Sequence, residues 1–194
     1  MGRTLFIVIT GNGLSDIRIL DSAVSKYDHS KTLCFPLSVF GIGIKTGIEG
    51  AIDTLITLVH RLVVNNYLII IDREHFKDLQ QVISSLKERG CDIENIDERL
   101  DGAYILDIRR GGREIRLYIV VFGFTDKGRI EENISELIKI KFNEDVEPNK
   151  SEIRSWLRKR GMRDKDLIQQ ATEEELQESL PTLTTILCQI AKDP

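Results

Sequence analysis

The most apolar stretch of the chain, Leu68-Ile69-Ile70-Ile71, shows no polar alternation and stops abruptly at Asp72-Arg73-Glu74. A continuous run of this kind predicts a strand over 67–72 covered on both faces, as in a parallel α/β sheet. A similar run over 4–10 predicts a first buried strand, broken by Gly11-Asn12-Gly13. The apolar period then lengthens: Ile17, Leu20, Val24 and Tyr27 recur at helical spacing, so the chain opens as strand, glycine turn and helix. Residues 32–40 predict a second strand, and Pro36, which cannot donate to a ladder, assigns it an edge or bulged position. After the glycine-rich loop 41–47, Ile48, Ile52, Leu55, Ile56, Val59, Leu62 and Val63 mark a second helix that ends at Asn65-Asn66. Phe76, Leu79, Val82, Ile83 and Leu86 mark a third, with Gly90 at its C-terminal cap.

From 103 to 122 the period shortens to two. With Gly111-Gly112 as a two-residue turn, Ile108 faces Ile115, Leu106 faces Leu117 and Tyr104 faces Ile119, while Arg109 faces Glu114 and Asp107 faces Arg116. One face is apolar and the other pairs opposite charges. A slip of one residue would destroy both sets, so the register of a hairpin over 103–110 and 113–122 is specified. A helix with Ile130, Ile134, Leu137 and Ile138 follows. Residues 144–150, with Pro148 and Asn149, read as a linker, and only helical patterns come after it. Ser151 is placed to cap a helix holding Ile153, Trp156 and Leu157; Gly161 ends it; Thr172 and Glu175 form a capping box; Pro181 opens a last helix with Leu183, Ile186, Leu187 and Ile190. The predicted fold class is α/β: a layered, mostly parallel sheet with helices on both faces, one antiparallel hairpin and a helical C-terminal tail. The division is an α/β domain over 1–145 and a tail over 146–194.

A chain of 194 residues suffices for one full domain with a small appendage. Its 41% hydrophobic and 30% charged residues are those of a globular protein in water. The net charge of −4 excludes a protein that coats nucleic acid through bulk attraction and leaves room only for a local basic patch. Residues 150–165 carry such a patch, seven basic side chains against two acidic, a local +5 that leaves −9 on the remainder. Arg154, Arg158 and Arg160 are the candidate nucleic-acid contacts, with Trp156 in the same helix. The competing reading pairs these cations with Glu173, Glu174, Glu175 and Glu178 and makes Trp156 a core anchor. Cys34, Cys91 and Cys188 show no C-x-x-C spacing and read as reduced structural residues. The apolar run 5–9 is too short for a signal-peptide core and no segment has the length of a membrane span, so the expectation is a cytoplasmic protein without a membrane partner. A homo-oligomer through the C-terminal helices is a further expectation.

Two carboxylates at the end of a buried strand repel each other and lose hydration, which a divalent cation with a preference for hard oxygen ligands would offset. Asp72 and Glu74 are therefore candidate ligands of Mg²⁺ or Mn²⁺, with His75 adjoining them. The alternative makes Asp72 the cap of a helix starting near Arg73, with Glu74 favoured in its first turn. Gly41-Ile42-Gly43-Ile44-Lys45-Thr46-Gly47 lies between a strand and a helix, where backbone N–H groups suit a phosphate. Ile44 stands where a Walker loop needs glycine, and Thr46 where a dinucleotide loop needs its third. Gly11, Gly13, Gly43 and Lys45 are the candidate phosphate contacts; the alternative is a flexible crossover.

Taken together, the segment from Ile7 through Gly11-Asn12-Gly13 to Asp16 and Leu20, and the segment from Ile69 through Asp72-Arg73-Glu74 to Phe76, resemble the Toprim domain of topoisomerases, bacterial primases and overcoming-lysogenisation-type nucleases. The resemblance covers roughly residues 4–140. It implies Mg²⁺-dependent phosphodiester chemistry on nucleic acid, cleavage or nucleotidyl transfer, with the acidic pair holding the ion. Thr10 stands where the family has a glutamate, and a hydroxyl cannot act as a carboxylate base near neutral pH. Asp16 takes that role if the glycine turn folds it toward Asp72, which makes Asp16, Asp72 and Glu74 the catalytic set. The alternatives are a non-catalytic interaction module that keeps the sheet without the chemistry, and a small-molecule nucleotide-binding protein using the two glycine loops.

Overall fold

The computed structural model describes residues 5–12, 14–27, 32–34 and 47–192, without the side chains of 14–18, 25 and 32–34. Among these residues six strands form one mixed sheet: β1 (Leu5–Thr10), β2 (Thr32–Cys34), β3 (Asn66–Asp72), β4 (Asp92–Leu100), β5 (Ala103–Arg110) and β6 (Arg113–Phe122), in the order β2-β1-β3-β6-β5-β4. The pairs β1/β2, β1/β3 and β3/β6 are parallel, whereas β5 runs antiparallel to β4 and β6. The predicted hairpin register is observed throughout, from Tyr104 opposite Ile119 to Arg109 opposite Glu114. Gly111 and Gly112 both adopt positive φ, 56° and 78°, which is the turn that matches the twist of the flanking strands.

Alternate residues of the central strands enter two separate hydrophobic clusters, which explains why β3 needs an unbroken apolar run. Leu68 and Ile70 join Phe6, Val8, Tyr118 and Val120 in a cluster completed by α1 (Leu14–Tyr27), α4 (Ile130–Phe142) and the last four helices. Ile69 and Ile71 join Ile7, Ile9, Ile119 and Val121 in a cluster completed by α2 (Gly47–Arg61) and α3 (Leu79–Glu88). Each fully buried aliphatic side chain of this kind contributes about 1.5–3 kcal/mol relative to exposure. The C-terminal helices α5 (Lys150–Lys159), α6 (Asp164–Gln170), α7 (Glu173–Ser179) and α8 (Pro181–Lys192) share the first cluster through Trp156, Leu167, Leu176 and Ile186. Polar bonds reinforce this packing: the buried Asn133 receives Gly123 N–H and donates to Ser179 C=O, and Thr182 Oγ1 donates to Val121 C=O at 2.9 Å.

Three local expectations need correction. β4 has no counterpart in the hydrophobic pattern; it is an edge strand with register shifts at Ile93/Asn95 and Glu98/Leu100, so alternation is lost where it would have been visible. The helix expected from Arg73 is a single 3₁₀ turn, Arg73–His75, and α3 begins at Leu79, capped by Asp78, whose carboxylate accepts Gln81 N–H at 2.7 Å. The cap of α5 is Asn149, not Ser151: Asn149 Oδ1 accepts Glu152 N–H, and the Ser151 hydroxyl donates to that same oxygen. No helix among the described residues is long and apolar enough to cross a membrane.

Candidate ligand crevice at the carboxyl ends of β1 and β3

The chain leaves β1 toward β2 through α1 on one face of the sheet and returns to β3, on the other side of β1, through α2 on the opposite face. This reversal opens a crevice at the carboxyl ends of β1 and β3, the place where open α/β sheets receive ligands. A cleft of about 260 Å³ is found at this edge, bordered by Asn12, Asp72, Glu74, His75, Arg129 and Lys150 among others.

Its floor is set by side chains that bond to backbone. Thr10 Oγ1 accepts Asn12 N–H at 3.1 Å and shapes the turn after β1; Asn12 Oδ1 accepts Asp72 N–H at 3.0 Å and ties that turn to β3. Asp72 is 6% exposed, and its Oδ1 accepts Ile130 N–H at 3.0 Å. The residue preceding α4 is Arg129, whose side chain makes no capping bond, so the first free N–H of α4 is satisfied from across the sheet. A carboxylate at a helix N-terminus is also favoured by the helix dipole, and this compensates the burial of Asp72. Asp72 was expected to cap a helix starting near Arg73, but its side chain makes no capping bond to that turn and caps instead a helix 58 residues away in sequence.

Glu74 is held differently. Arg129 Nη2 lies 2.7 Å from Glu74 Oε2, His75 Nε2 lies 3.5 Å from Oε1, and Glu74 N–H donates to Gly128 C=O. The bond to Glu74 pushes the pKa of Arg129 further up, so this cation persists at every accessible pH. Arg129 arrives there because Gly123, at φ +95°, folds the loop back onto Gly128: a Cβ on Gly123 would meet the Gly128 carbonyl carbon at 2.3 Å. Glu132 secures the loop by accepting Phe124 N–H, Thr125 N–H and the Thr125 hydroxyl. Burial raises the Glu132 pKa, but these three bonds outweigh it and hold the carboxyl below its ordinary 4.5.

The structure brings Asp72 and Glu74 to one crevice. Asp16 belongs to the first turn of α1, at the same edge, but its side chain is outside what is described. Gly13, Gly43 and Lys45 lie outside the described residues. Gly11 donates its N–H to Ile70 C=O and accepts Gly47 N–H, so both of its backbone polar groups are bonded within the protein. The Arg160 guanidinium lies 4.0 Å over the Trp156 ring and pairs with Glu144, which also accepts Trp156 Nε1–H. Arg154 and Arg158 are exposed and take part in none of the ion pairs among the described residues; of the acidic run, Glu175 pairs with Lys141 instead. Asn12 and Arg129 escaped sequence reasoning. The available signals were an asparagine between two glycines after a strand, and an arginine where a helix cap normally has Asn, Asp, Ser or Thr.

Comparison with protein-family models, with curated proteins and with solved structures gives no match. Glu74 is engaged by Arg129 and His75 and Asp72 Oδ1 by Ile130, and among the described residues no group of three His, Cys, Asp or Glu is placed to hold an ion.

Asp72→Asn preserves a capping acceptor, whereas Asp72→Ala orphans Ile130 N–H. Urea unfolding is expected to place the alanine variant about 1–2 kcal/mol below the asparagine variant; equal stability of the two would remove the capping role. The depressed Glu132 pKa contributes stability that is fully present above the unfolded value of 4.5 and is lost as pH falls through the folded value. Between about pH 6 and about pH 3 the wild type is expected to lose more stability than Glu132→Gln, read from urea midpoints; parallel losses would refute this.

Proposed function

We propose that this chain is a degenerate Toprim-like domain that binds a phosphodiester in the β1/β3 crevice without cutting it. The observation that carries this reading is the Arg129–Glu74 ion pair at 2.7 Å, which puts a protein cation on the carboxylate that a resident divalent ion would need. Thr10 supports it, because its hydroxyl serves the Asn12 turn at the position where the family keeps an acid/base glutamate. Arg129 and Lys150 supply positive charge at the border of the crevice, and Asn12 and His75 add polar groups. A phosphate would be met by Lys150 and by the outer face of Arg129, whose charge is shared with Glu74, and by the polar groups of Asn12 and His75.

A catalytic, Mg²⁺-dependent reading keeps one supporting observation: Asp72, Glu74 and Glu131 border the same crevice as His75. It requires Arg129 to leave Glu74 before an ion enters.

Titration calorimetry with Mn²⁺ separates the two. The proposal predicts no specific Mn²⁺ binding by wild type, measurable binding by Arg129→Ala, where Glu74 is released, and thermal stabilisation of wild type by a dinucleotide without added metal. Specific Mn²⁺ binding by wild type together with cleavage of DNA or RNA would overturn it in favour of the enzyme. A dinucleotide that leaves the melting temperature unchanged would overturn the phosphodiester reading itself.

A further inference from the structure

A second cleft, about 720 Å³, lies between α5 and α6, bordered by Arg154, Arg158, Arg163 and Lys165 against the single acid Asp164, with Leu157 and Met162 also lining it. Arg154 also borders a small hollow shared with Lys150 and Ile153, and Lys150 in turn borders the β1/β3 crevice. Lys150, Arg154 and Arg158 follow one another at four-residue steps on α5. Such steps rise about 6 Å each, close to the separation of successive phosphates in an extended strand. Ile153 and Leu157, beside these cations, are buried, so the charged groups sit on a rigid, packed helix. Arg163 is partly engaged by Asp166, whereas Arg154 and Arg158 are exposed and outside the ion pairs of the described residues.

We infer that the α5–α6 cleft binds single-stranded nucleic acid, with phosphates along Lys150, Arg154 and Arg158 and a base against the half-buried Met162. Met162 beside this row of cations favours a single strand, because a duplex hides the base faces that an apolar side chain would cover. Trp156 does not serve as the stacking platform, since Arg160 already covers its ring. The inference extends the crevice reading from a dinucleotide to a polymer and rests on it only for the direction in which the strand runs.

The test is fluorescence anisotropy of the full chain with labelled single-stranded DNA and RNA of about twelve nucleotides, comparing wild type with Arg154→Gln/Arg158→Gln. Both side chains are exposed, so the double variant should keep the wild-type melting temperature; Arg158→Glu gives a second variant should it not. Expected are a loss of about tenfold or more in affinity and a salt slope shallower by about 1.4, the value for two lost phosphate contacts on a single strand. Equal affinity of variant and wild type, absence of binding by wild type, preference for duplex, or equal displacement by polyglutamate would each overturn the inference, the last in favour of an acidic protein partner. Dinucleotide stabilisation measured on the same double variant reports the crevice separately: its persistence while oligonucleotide binding is lost places the strand site on α5, and its absence in wild type condemns the crevice reading alone.

Discussion

The hydrogen bond from Ile130 N–H to the Asp72 carboxylate is the contact on which the crevice depends. Asp72 ends a strand buried on both faces, so its charge sits at the edge of an apolar layer and needs a partner that is fixed in place. The N-terminus of α4 supplies one, with an otherwise unpaired N–H and the positive end of the helix dipole. The helix needs the acid equally, because Arg129 brings no acceptor to its own cap position. Once α4 is set in this way, Arg129 reaches Glu74, Glu132 ties down the loop after β6, and Asn133 links that loop to the end of α7. A single bond between distant parts of the sequence thereby orients three side chains in succession.

The same economy explains the β1 side of the crevice. Thr10 and Asn12 are short polar residues used for backbone geometry: one shapes the turn, the other clamps it to Asp72 N–H. Together with Asp72 they make a rigid, hydrogen-bonded rim at the point where the sheet topology reverses. Both acids at this edge have partners within the protein, Asp72 a helix end and Glu74 a guanidinium. Cationic side chains that remain available, Arg154 and Arg158, lie on the neighbouring helix α5.

Much of the architecture was legible in the sequence wherever burial imposes a period. Leu68 to Ile71 marked the central strand because both faces are covered, and Gly111-Gly112 fixed the hairpin register through two independent sets of facing residues. Capping signals at Thr172/Glu175 and Pro181 were equally readable, since they act over three residues or fewer. β4 was invisible because an edge strand with two irregularities and the exposed charges of Asp92 and Glu94 carries no period, a composition that also protects the edge from pairing with another chain. The crevice was half legible. Two acids after a buried strand announced it, but their partners, Ile130 and Arg129, come from a helix whose docking no local pattern encodes. Arg160 shows a further limit of charge counting, which cannot tell a cation stacked on Trp156 from one open to solvent.

Amide hydrogen exchange at Ile130 tests this account most directly. The first N–H of a helix ordinarily lacks an intrahelical partner and exchanges readily, so protection there reports an external acceptor. Bonded to a buried carboxylate, the Ile130 amide should exchange as slowly as those in the body of α4, and it should lose that protection selectively in Asp72→Ala. Rapid exchange at Ile130 in the wild-type protein would contradict the docking of α4 on the strand end, and with it the arrangement of Arg129 and Glu74.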